Sequence, residues 1–283
     1  MSLPKEYRTL LKRKHIDTRI KGFLDSKKHI HTICNEALCP NRGECFSNST
    51  ATFLIMGDIC TRNCAFCAVK SGSPGPLDSR EIDEMTEAIR LMKLDYVVIT
   101  SVTRDDIEDG GAGYFNETAA KLKSAFPNLR IEMLVPDFRQ DLSNLSKLST
   151  ENIDVFNHNL ETVPGLYQRI RPGADYSFSL SMLKRAKDTG FITKTGIMLG
   201  LGETMEEIDS LFEDIAECAD ILTIGQYIKS DRDNAGVVHY YTADDYSMLK
   251  ERAEKAGVKR AVSGVFVRSS YKAKKTYEEL KSV

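Results

Sequence analysis

The stretch Thr52-Phe-Leu-Ile-Met-Gly-Asp-Ile-Cys60-Thr-Arg-Asn-Cys64-Ala-Phe-Cys67 joins an apolar run to three closely spaced cysteines. The apolar run is typical of a strand that is buried on both faces of a parallel sheet. Because the cysteines follow at once, they would lie beyond the carboxyl end of that strand. Sites built from strand ends of this kind are characteristic of α/β barrels. The stretch therefore predicts a parallel sheet with a thiol-bearing site at its carboxyl edge.

Further apolar runs alternate with helical patterns along the chain. The predicted strands are Thr52–Gly57, Tyr96–Thr100, Ile131–Val135, Asp154–Asn157, Thr195–Leu199 and Ile221–Ile224. The predicted helices are Arg80–Met92, Tyr114–Ala125, Phe178–Thr189, Thr204–Cys218 and Ala243–Lys255. Such alternation of strands and helices indicates a parallel sheet with helical crossovers.

We predict the fold class as α/β: a partial (β/α)6 barrel over residues 51–225, with N- and C-terminal capping extensions at residues 1–50 and 226–283. A doubly wound sheet is the alternative. The barrel is favoured because candidate ligand residues follow several different strands. Local signals agree with the predicted helices. Ser79 is a candidate N-cap, Thr204 and Glu207 fit a capping box, and Gly257 fits a left-handed helix end.

Composition excludes several classes of protein. The 283 residues include 39 Lys and Arg against 41 Asp and Glu, and a net charge of −2 excludes a globally basic nucleic-acid binder. No stretch approaches about 18 consecutive apolar residues, so no membrane span is predicted. The N-terminus lacks the apolar segment of a secretory signal, which predicts a cytoplasmic location. An odd number of cysteines, seven, fits metal binding better than a disulfide framework.

Cys60, Cys64 and Cys67 have the spacing CxxxCxxC. Three thiolates can hold three irons of a 4Fe–4S cluster and leave the fourth iron open to a ligand. Zinc is the competing interpretation, but structural zinc prefers four ligands. The motif resembles the signature of the radical S-adenosylmethionine superfamily. The resemblance implies that S-adenosylmethionine binds the open iron and that its reductive cleavage yields a radical that abstracts hydrogen from an unactivated carbon.

A second triad lies upstream at Cys34, Cys39 and Cys45. These thiols are poor candidates for the first cluster, because a fourth protein ligand would close its open iron. They predict a second 4Fe–4S cluster. The remaining cysteine, Cys218, lies on a predicted helix and fits a buried core residue better than a ligand. The fourth ligand of the second cluster is therefore left open by the residues alone.

The two triads in this order resemble the lipoyl synthase family, and the resemblance extends through nearly the whole chain. The matching segments are Met56–Cys64, Arg104–Asp106, Asp109–Ala112, Asp154–Pro164, Arg171–Ala174, Gly200–Thr204, Leu222–Tyr227 and Arg268–Tyr271. The last segment is the Arg-Ser-Ser-Tyr motif of that family. It implies that the second serine, Ser270, is the fourth ligand of the second, auxiliary cluster, and Ser269 is the nearest alternative.

The resemblance also implies a reaction and partners. Two S-adenosylmethionine molecules would be cleaved per product, and two sulfurs from the auxiliary cluster would enter the sixth and eighth carbons of a protein-bound octanoyl-lysine. The implied partners are octanoylated lipoyl-carrier domains of 2-oxoacid dehydrogenase subunits or of the glycine cleavage H protein. An electron donor such as flavodoxin or ferredoxin and a cluster-rebuilding carrier are also implied. Neither nucleic acid nor a membrane is implied.

Polar residues after the predicted strands are candidates for the cofactor site. Asn159, Glu161 and Arg171 follow the fourth strand. By position they could bind the ribose hydroxyls and the carboxylate of S-adenosylmethionine. Hydrogen bonds within loops and at helix caps are the alternative for all three.

Two further groups of residues also follow strands. Thr100, Ser101 and Arg104 end the second strand and are candidates to line the cofactor pocket. Gly200-Leu-Gly202 follows the fifth strand and permits either close approach of the backbone to adenine or a simple tight turn. His158 is interpreted as a structural histidine, because radical abstraction needs no general base.

Two rival functions stay open. A biotin-synthase-like enzyme would take the ligands of its second cluster from across the barrel, not from an upstream triad. An iron–sulfur electron-transfer or cluster-carrier protein would not need the barrel and would not convert S-adenosylmethionine to 5′-deoxyadenosine. Residues 227–240 and 265–272 depart from the pattern of the lipoyl synthase family, which leaves the acyl-chain pocket and the carrier preference open.

Overall fold

The computed structural model describes residues 4–10, 22–23, 26–27, 29–33, 41, 51–230 and 233–282. Eight strands of these residues form one sheet in the order β1-β2-β5-β6-β7-β8-β9-β10, and β3 pairs with β4 separately. The strands are β1 (His31–Thr32), β2 (Thr52–Ile55), β3 (Ile59–Cys60), β4 (Lys70–Ser71), β5 (Tyr96–Ser101), β6 (Arg130–Leu134), β7 (Val155–Asn157), β8 (Ile192–Leu199), β9 (Ile221–Gln226) and β10 (Arg260–Gly264).

The winding of the sheet distinguishes a barrel from a doubly wound fold. Neighbouring strands from β2 to β10 are all parallel, and β1 pairs antiparallel with β2. Their order follows the chain without reversal. A doubly wound sheet would reverse its order at a switch point. The predicted α/β architecture of the barrel type is confirmed.

The sheet continues beyond the six predicted strands. β10 pairs in register with β9, from Arg260 opposite Ile221 to Gly264 opposite Gly225. This strand was not predicted, because its residues Arg-Ala-Val-Ser-Gly include two polar side chains and a glycine and so lack an apolar run. The predicted boundary at residues 225–226 therefore falls inside one continuous sheet.

Helices connect the strands and cover the sheet. They are α1 (Lys5–Leu10), α2 (Arg80–Met92), α3 (Ala112–Ala125), α4 (Tyr167–Ile170), α5 (Tyr176–Asp188), α6 (Met205–Cys218), α7 (Ala243–Lys255) and α8 (Ala273–Lys281). Short 3-10 turns lie at Phe138–Gln140, Leu142–Lys147 and Pro164–Leu166. The predicted bounds of α2 and α7 match, and those of α3, α5 and α6 agree within two residues.

Local signals at the helix ends are confirmed with one exception. Thr204 and Glu207 form the predicted capping box of α6. Gly257 has a φ of +111° after α7, and the amide of Val258 donates to the carbonyl of Ala253, as in a Schellman end. Ser79 precedes α2, but its side chain makes no capping hydrogen bond.

The terminal segments pack onto the barrel where they are described. Tyr7 of α1 is buried, and its hydroxyl lies 2.9 Å from Oε1 of Gln226 on β9. The C-terminal α8 packs on β10, and its Tyr277 contacts Tyr96 of β5 with ring centroids 5.8 Å apart. No helix among the described residues is long and apolar enough to cross a membrane.

Candidate active site

A cavity of about 560 Å³ opens at the carboxyl ends of the strands. Residues on or just after all six parallel strands from β2 to β9 line it, so the sheet curves around this space. The segment after β10 closes one side. The predicted site residues that line the cavity are Cys60, Cys64, Cys67, Thr100, Ser101, Asn159, Glu161, Arg171 and Ser270.

The three cysteines of the strand-end motif lie in the segment between β2 and α2, which includes the short strands β3 and β4 and is called the cysteine loop below. Cys60 ends β3, and backbone amides of Arg62 and Thr103 lie 3.4 and 3.3 Å from its Sγ. The amide of Val69 lies 3.4 Å from Sγ of Cys67. Amide donors directed at sulfur are a feature of iron–sulfur sites, where they tune the reduction potential.

Burial affects the protonation of two of these thiols. It raises the pKa of Cys64 to about 11, against the opposing effect of the Arg171 guanidinium. It raises the pKa of Cys67 to about 12, against the opposing effect of its bond from the Val69 amide. In the cluster-free chain both are neutral thiols at pH 7, so metal binding must release their protons.

The three thiols share one space without converging on a single point, which fits the ligand set of a cluster. Among the described residues, no three His, Cys, Asp or Glu side chains converge on one position that a metal ion could occupy. In a 4Fe–4S cluster each cysteine binds a different iron, so three thiols need only surround a common space. Cys60, Cys64 and Cys67 do this, since all three line the same cavity.

Two buried charged residues fix the start of the cysteine loop. The carboxylate of Glu81 accepts hydrogen bonds of 2.8 Å from the amides of both Met56 and Gly57. These two residues have φ values of +66° and +87°, which is why β2 ends at Ile55 and not at the predicted Gly57. Arg104 binds the carbonyls of Met56 and Gly75.

This position corrects the prediction for Arg104. Its side chain is 3% exposed and forms part of the wall behind the loop, so it does not line the cavity with Thr100 and Ser101. The loop itself is held by Arg62, whose guanidinium bridges the carboxylates of Asp105 and Asp137 at 2.5–2.9 Å. Both arginines position the loop from outside the reacting space.

Asn159, Glu161 and Arg171 are brought together after β7. Nη1 of Arg171 donates to the backbone carbonyl of Asn159 at 2.7 Å, and Nδ2 of Asn159 donates to Oε1 of Glu161 at 3.0 Å. Burial raises the pKa of Glu161, and the positive charge of Arg171 opposes this effect. The group presents one cation, one carboxyl group and one amide to the cavity.

Thr100 and Ser101 end β5 beside the cysteine loop. Oγ1 of Thr100 donates to the carbonyl of Leu134 at 2.9 Å. Oγ of Ser101 is buried and has no hydrogen-bond partner among the described residues. A buried hydroxyl without a partner is costly, so it indicates a place where a ligand or a water molecule completes the site.

Gly200 does not line the cavity, so the interpretation as a site of adenine approach is not supported for this residue. Its φ is +99°, and its amide donates to Oε1 of Glu203 at 2.5 Å. A Cβ at this position would overlap the side chain of Gln226 and the carbonyl of His239. Gly200 therefore forms a tight turn, which was the second of the two interpretations that the sequence permitted.

We expect Gly200→Ala to lower the free energy of unfolding by about 3 kcal/mol, because the added Cβ combines a positive φ with overlap of the buried Gln226 side chain and the His239 carbonyl. Gly202→Ala is the matched control, since its φ is +113° but its nearest neighbours are 3.5 and 3.6 Å from the added Cβ. The free energy of unfolding of the control variant should fall by only about 1 kcal/mol. Urea denaturation of the two variants measures the difference, and equal losses would exclude the overlap.

His158 lines the cavity but is held by the fold. Its Nδ1 lies 2.9 Å from the carbonyl of Val135, and its Nε2 lies 3.1 Å from Oγ of Ser179. Burial lowers its pKa to about 4, so the ring is neutral at pH 7. The interpretation as a structural histidine is confirmed.

Cys34, Cys39 and Cys45 lie outside the described residues. Two described neighbours in the chain, Ile33 and Asn41, line the cavity together with Ser270. Nδ2 of Asn41 donates to the carbonyl of Phe266 at 2.5 Å, four residues before Ser270. Parts of the upstream segment and of the Arg-Ser-Ser-Tyr segment therefore meet at one side of the cavity.

Residues 227–240 were connected with the acyl-chain pocket only as a departure from the family pattern, and none of them was predicted as a site residue. Tyr227, Ile228, Lys229 and Ser230 line the cavity, and the segment that follows binds the cysteine loop. The amide of Ala235 donates to the carbonyl of Ala65 at 2.7 Å. Their position at the carboxyl end of a parallel strand was the signal that could have found them.

Comparison with known proteins identifies the family. The profile of the Radical SAM superfamily matches residues 54–215, more than half of the chain. The chain is 49% identical over 253 residues to lipoyl synthase from Hahella chejuensis, covering 88% of this chain and 76% of that protein. It is 51% identical over 258 residues to lipoyl synthase from Leptothrix cholodnii, covering 90% and 78%. The chain belongs to the lipoyl synthase family.

Solved structures show the same fold for this lipoyl synthase family member. Methylornithine synthase superposes with a TM-score of 0.56 at 16% identity, covering 95% of this chain and 93% of that chain. The maturase HydG superposes with a TM-score of 0.52 at 14% identity, covering 81% and 58%. Membership in the lipoyl synthase family makes the chain an enzyme, a sulfurtransferase, that uses a 4Fe–4S cluster and S-adenosylmethionine.

Proposed function

We propose that the enzyme inserts two sulfur atoms at the sixth and eighth carbons of a protein-bound octanoyl-lysine. The observation that carries the proposal is a single cavity lined by the thiols of Cys60, Cys64 and Cys67 and also by Ser270. Relatives about 49% identical over most of the chain support the same reaction. One cavity would then bring the source of the radical and the source of sulfur to the same substrate chain.

Cys60, Cys64 and Cys67 would hold the radical-generating cluster. Bound there, the cluster and S-adenosylmethionine would supply the hydrogen-abstracting radical. Arg171 and Asn159 would orient the carboxylate of S-adenosylmethionine, since a guanidinium is a strong donor to a carboxylate. Glu161 would accept hydrogen bonds from ribose hydroxyls. Thr100 and Ser101 would line the opposite wall, where the Ser101 hydroxyl has no partner among the described residues.

The walls of the cavity suit an aliphatic substrate. Leu54, Leu134, Ile197 and Val267 line it together with Phe66 of the cysteine loop. Apolar side chains bind an octanoyl chain by removing its methylenes from water, at about 0.8 kcal/mol per buried methylene. The same walls exclude water from the reacting carbons.

Cys34, Cys39, Cys45 and Ser270 would hold the auxiliary cluster that supplies the sulfur. Support comes from Ile33 and Asn41, which lie next to this triad in sequence and share the cavity with Ser270. Ser270 lines this cavity, so its side chain is placed to reach a ligand held there. A serine oxygen is a harder ligand than a thiolate, which suits a cluster that must release sulfur.

The proposed partners follow from this reaction. The substrates would be octanoylated lipoyl-carrier proteins, either 2-oxoacid dehydrogenase subunits or the glycine cleavage H protein. Flavodoxin or ferredoxin would supply electrons, and a further carrier would rebuild the auxiliary cluster. Cluster thiolates are stable in a reducing compartment, and this supports the proposal that the enzyme acts in the cytoplasm.

An anaerobic assay with an octanoyl-lysine peptide tests the proposed function. The reconstituted enzyme, S-adenosylmethionine and a reductant should convert the peptide to a product that carries two added sulfurs, measured by mass spectrometry. The same reaction should release 5′-deoxyadenosine. Release of 5′-deoxyadenosine without any sulfur in the peptide would contradict sulfur insertion while leaving the radical site intact.

A further inference from the structure

Ser269 joins the C-terminal segment to the strand end that carries the proposed cofactor residues. Its Oγ accepts a hydrogen bond of 2.9 Å from Nδ2 of Asn157, at the end of β7. The same hydroxyl donates to Oδ1 of Asn159 at 2.9 Å. The neighbouring Ser270 is not part of this bridge. The two serines of the Arg-Ser-Ser-Tyr motif therefore have different surroundings.

A buried ion pair fixes the direction of these bonds. Lys194 and Glu132 are each 1% exposed, and Nζ of Lys194 lies 2.9 and 3.0 Å from the two carboxylate oxygens. Nδ2 of Asn157 donates to Oε1 of Glu132 at 2.7 Å, and the hydroxyl of Tyr96 donates to Oε2 at 2.7 Å. If the side-chain amide of Asn157 were reversed, its Oδ1 would lie against Oε1 of Glu132, and two acceptor oxygens would be in contact.

The remaining hydrogens follow from this orientation. The second hydrogen on Nδ2 of Asn157 points to Ser269, so the Ser269 oxygen accepts it and the Ser269 hydrogen goes to Asn159. Nδ2 of Asn159 then donates to Glu161 at 3.0 Å. Asn157, held by its bond to Glu132, thus starts a chain in which each group donates to the next, from Asn157 through Ser269 and Asn159 to the carboxyl group of Glu161.

The orientation of the Asn157 side-chain amide leaves one buried acceptor without a bond in the described part of the chain, which shows that its other bonds hold it in place. Oδ1 of Asn157 is buried and has no hydrogen-bond partner among the described residues. A buried acceptor left without a partner costs about 1–3 kcal/mol. The bonds from Nδ2 to Glu132 and to Ser269 offset that cost, because hydrogen bonds to a charged group are stronger than neutral ones.

A second contact holds the same segment against β9. A Cβ at Gly225 would overlap the carbonyl of Val267, so only glycine permits this approach. The amide of Gln226 also donates to the carbonyl of Val265 at 3.2 Å. Backbone contact thus holds the segment against β9, and the side chain of Ser269 binds it to the end of β7.

We propose that Ser269 is a positioning residue that docks residues 267–271 onto the end of β7 and thereby sets the place of Ser270 relative to Asn159 and Glu161. The proposal rests on the proposed function, since it gives Ser270 and Glu161 their roles. It differs from ligation, because the Ser269 oxygen is already bonded to two asparagines. Ser269 links the auxiliary-cluster side of the cavity to the S-adenosylmethionine side.

Hydrogen exchange of the cluster-free chain tests the docking without any activity. In Ser269→Ala, backbone amides of residues 265–272 should exchange about tenfold faster than in the wild type, the effect of losing two side-chain hydrogen bonds. Ser263→Ala is the matched control, since its buried Oγ has no hydrogen-bond partner in the described residues. Amides of β9 report that both variants are folded. Equal exchange of residues 265–272 in both variants would overturn the proposal.

Spectroscopy of the loaded enzyme separates docking from ligation. In a chain with Cys60, Cys64 and Cys67 replaced by alanine, the paramagnetic resonance spectrum of the reduced cluster reports the auxiliary site alone. Ser269→Ala should shift this spectrum part of the way towards that of Ser270→Ala. If Ser270→Ala changes the spectrum and Ser269→Ala does not, the positioning role of Ser269 is wrong, and Ser270 is still supported as the ligand of the auxiliary cluster. If Ser270→Ala leaves it unchanged, the proposed ligand is wrong, and hydrogen exchange alone decides the docking.

Discussion

Replacing Cys60, Cys64 and Cys67 together with alanine is expected to abolish the cleavage of S-adenosylmethionine. The anaerobically reconstituted wild type should hold about eight irons per chain and the variant about four, because one of two four-iron clusters is lost. The three thiols line one cavity with the polar residues proposed to bind the cofactor. Iron analysis and chromatography of 5′-deoxyadenosine measure the two effects.

Cys218→Ala provides the matched control for this prediction. Cys218 is 2% exposed at the end of α6 and packs in the hydrophobic core, as the sequence predicted. Its loss should leave both the iron content and the cleavage of S-adenosylmethionine unchanged. Cleavage that survives in the triple variant would contradict the assignment of the radical cluster to Cys60, Cys64 and Cys67.

Ser270→Ala is expected to separate the two halves of the reaction. Cleavage of S-adenosylmethionine should persist, because the ligands of the radical cluster are untouched. Formation of the product with two sulfurs should fall by at least about tenfold, since one iron of the auxiliary cluster loses its protein ligand. Ser270→Cys should give a four-thiolate cluster that is harder to dismantle, with a similar loss of product.

Ser263→Ala is the control for loss of a hydroxyl from the same region of the chain. Its product yield should equal that of the wild type. Mass spectrometry of an octanoyl-lysine peptide gives the yield, and chromatography of 5′-deoxyadenosine gives the cleavage. Full product yield in Ser270→Ala would remove Ser270 from the ligand set, and loss of cleavage in that variant would show a more general defect.

Periodicity and strand ends predicted much of the fold, since strands β2 and β5 to β9 and helices α2, α3 and α5 to α7 have strong local patterns. β10 was missed because a strand that pairs along one edge of the sheet can carry polar side chains such as those of Arg260 and Ser263. β2 ends early because Glu81, distant in sequence, binds the amides of Met56 and Gly57. Contacts of this range leave no local pattern.

The site residues also divide into those that the sequence predicted correctly and those that only the packing revealed. Cys60, Cys64 and Cys67 have a spacing that itself limits the possible chemistry, and Asn159, Glu161 and Arg171 share the carboxyl edge of the sheet with them. Gly200 and Arg104 have the same kind of position in sequence, but Gly200 packs against Gln226 and Arg104 binds the carbonyls of Met56 and Gly75 outside the cavity. Strand position places a residue near the edge, and only packing decides which way its side chain points.

The sequence by itself determined the α/β barrel, the thiol spacing and the resemblance to lipoyl synthases, because these depend on the order of residues along the chain. The tertiary structure alone decided which polar residues meet. The bridge of Ser269 between Asn157 and Asn159 spans more than 100 residues, as does the approach of Asn41 to Phe266. Such contacts depend on how the ends of the chain fold back over the barrel, and hydrogen bonds are made only at short range and in specific directions.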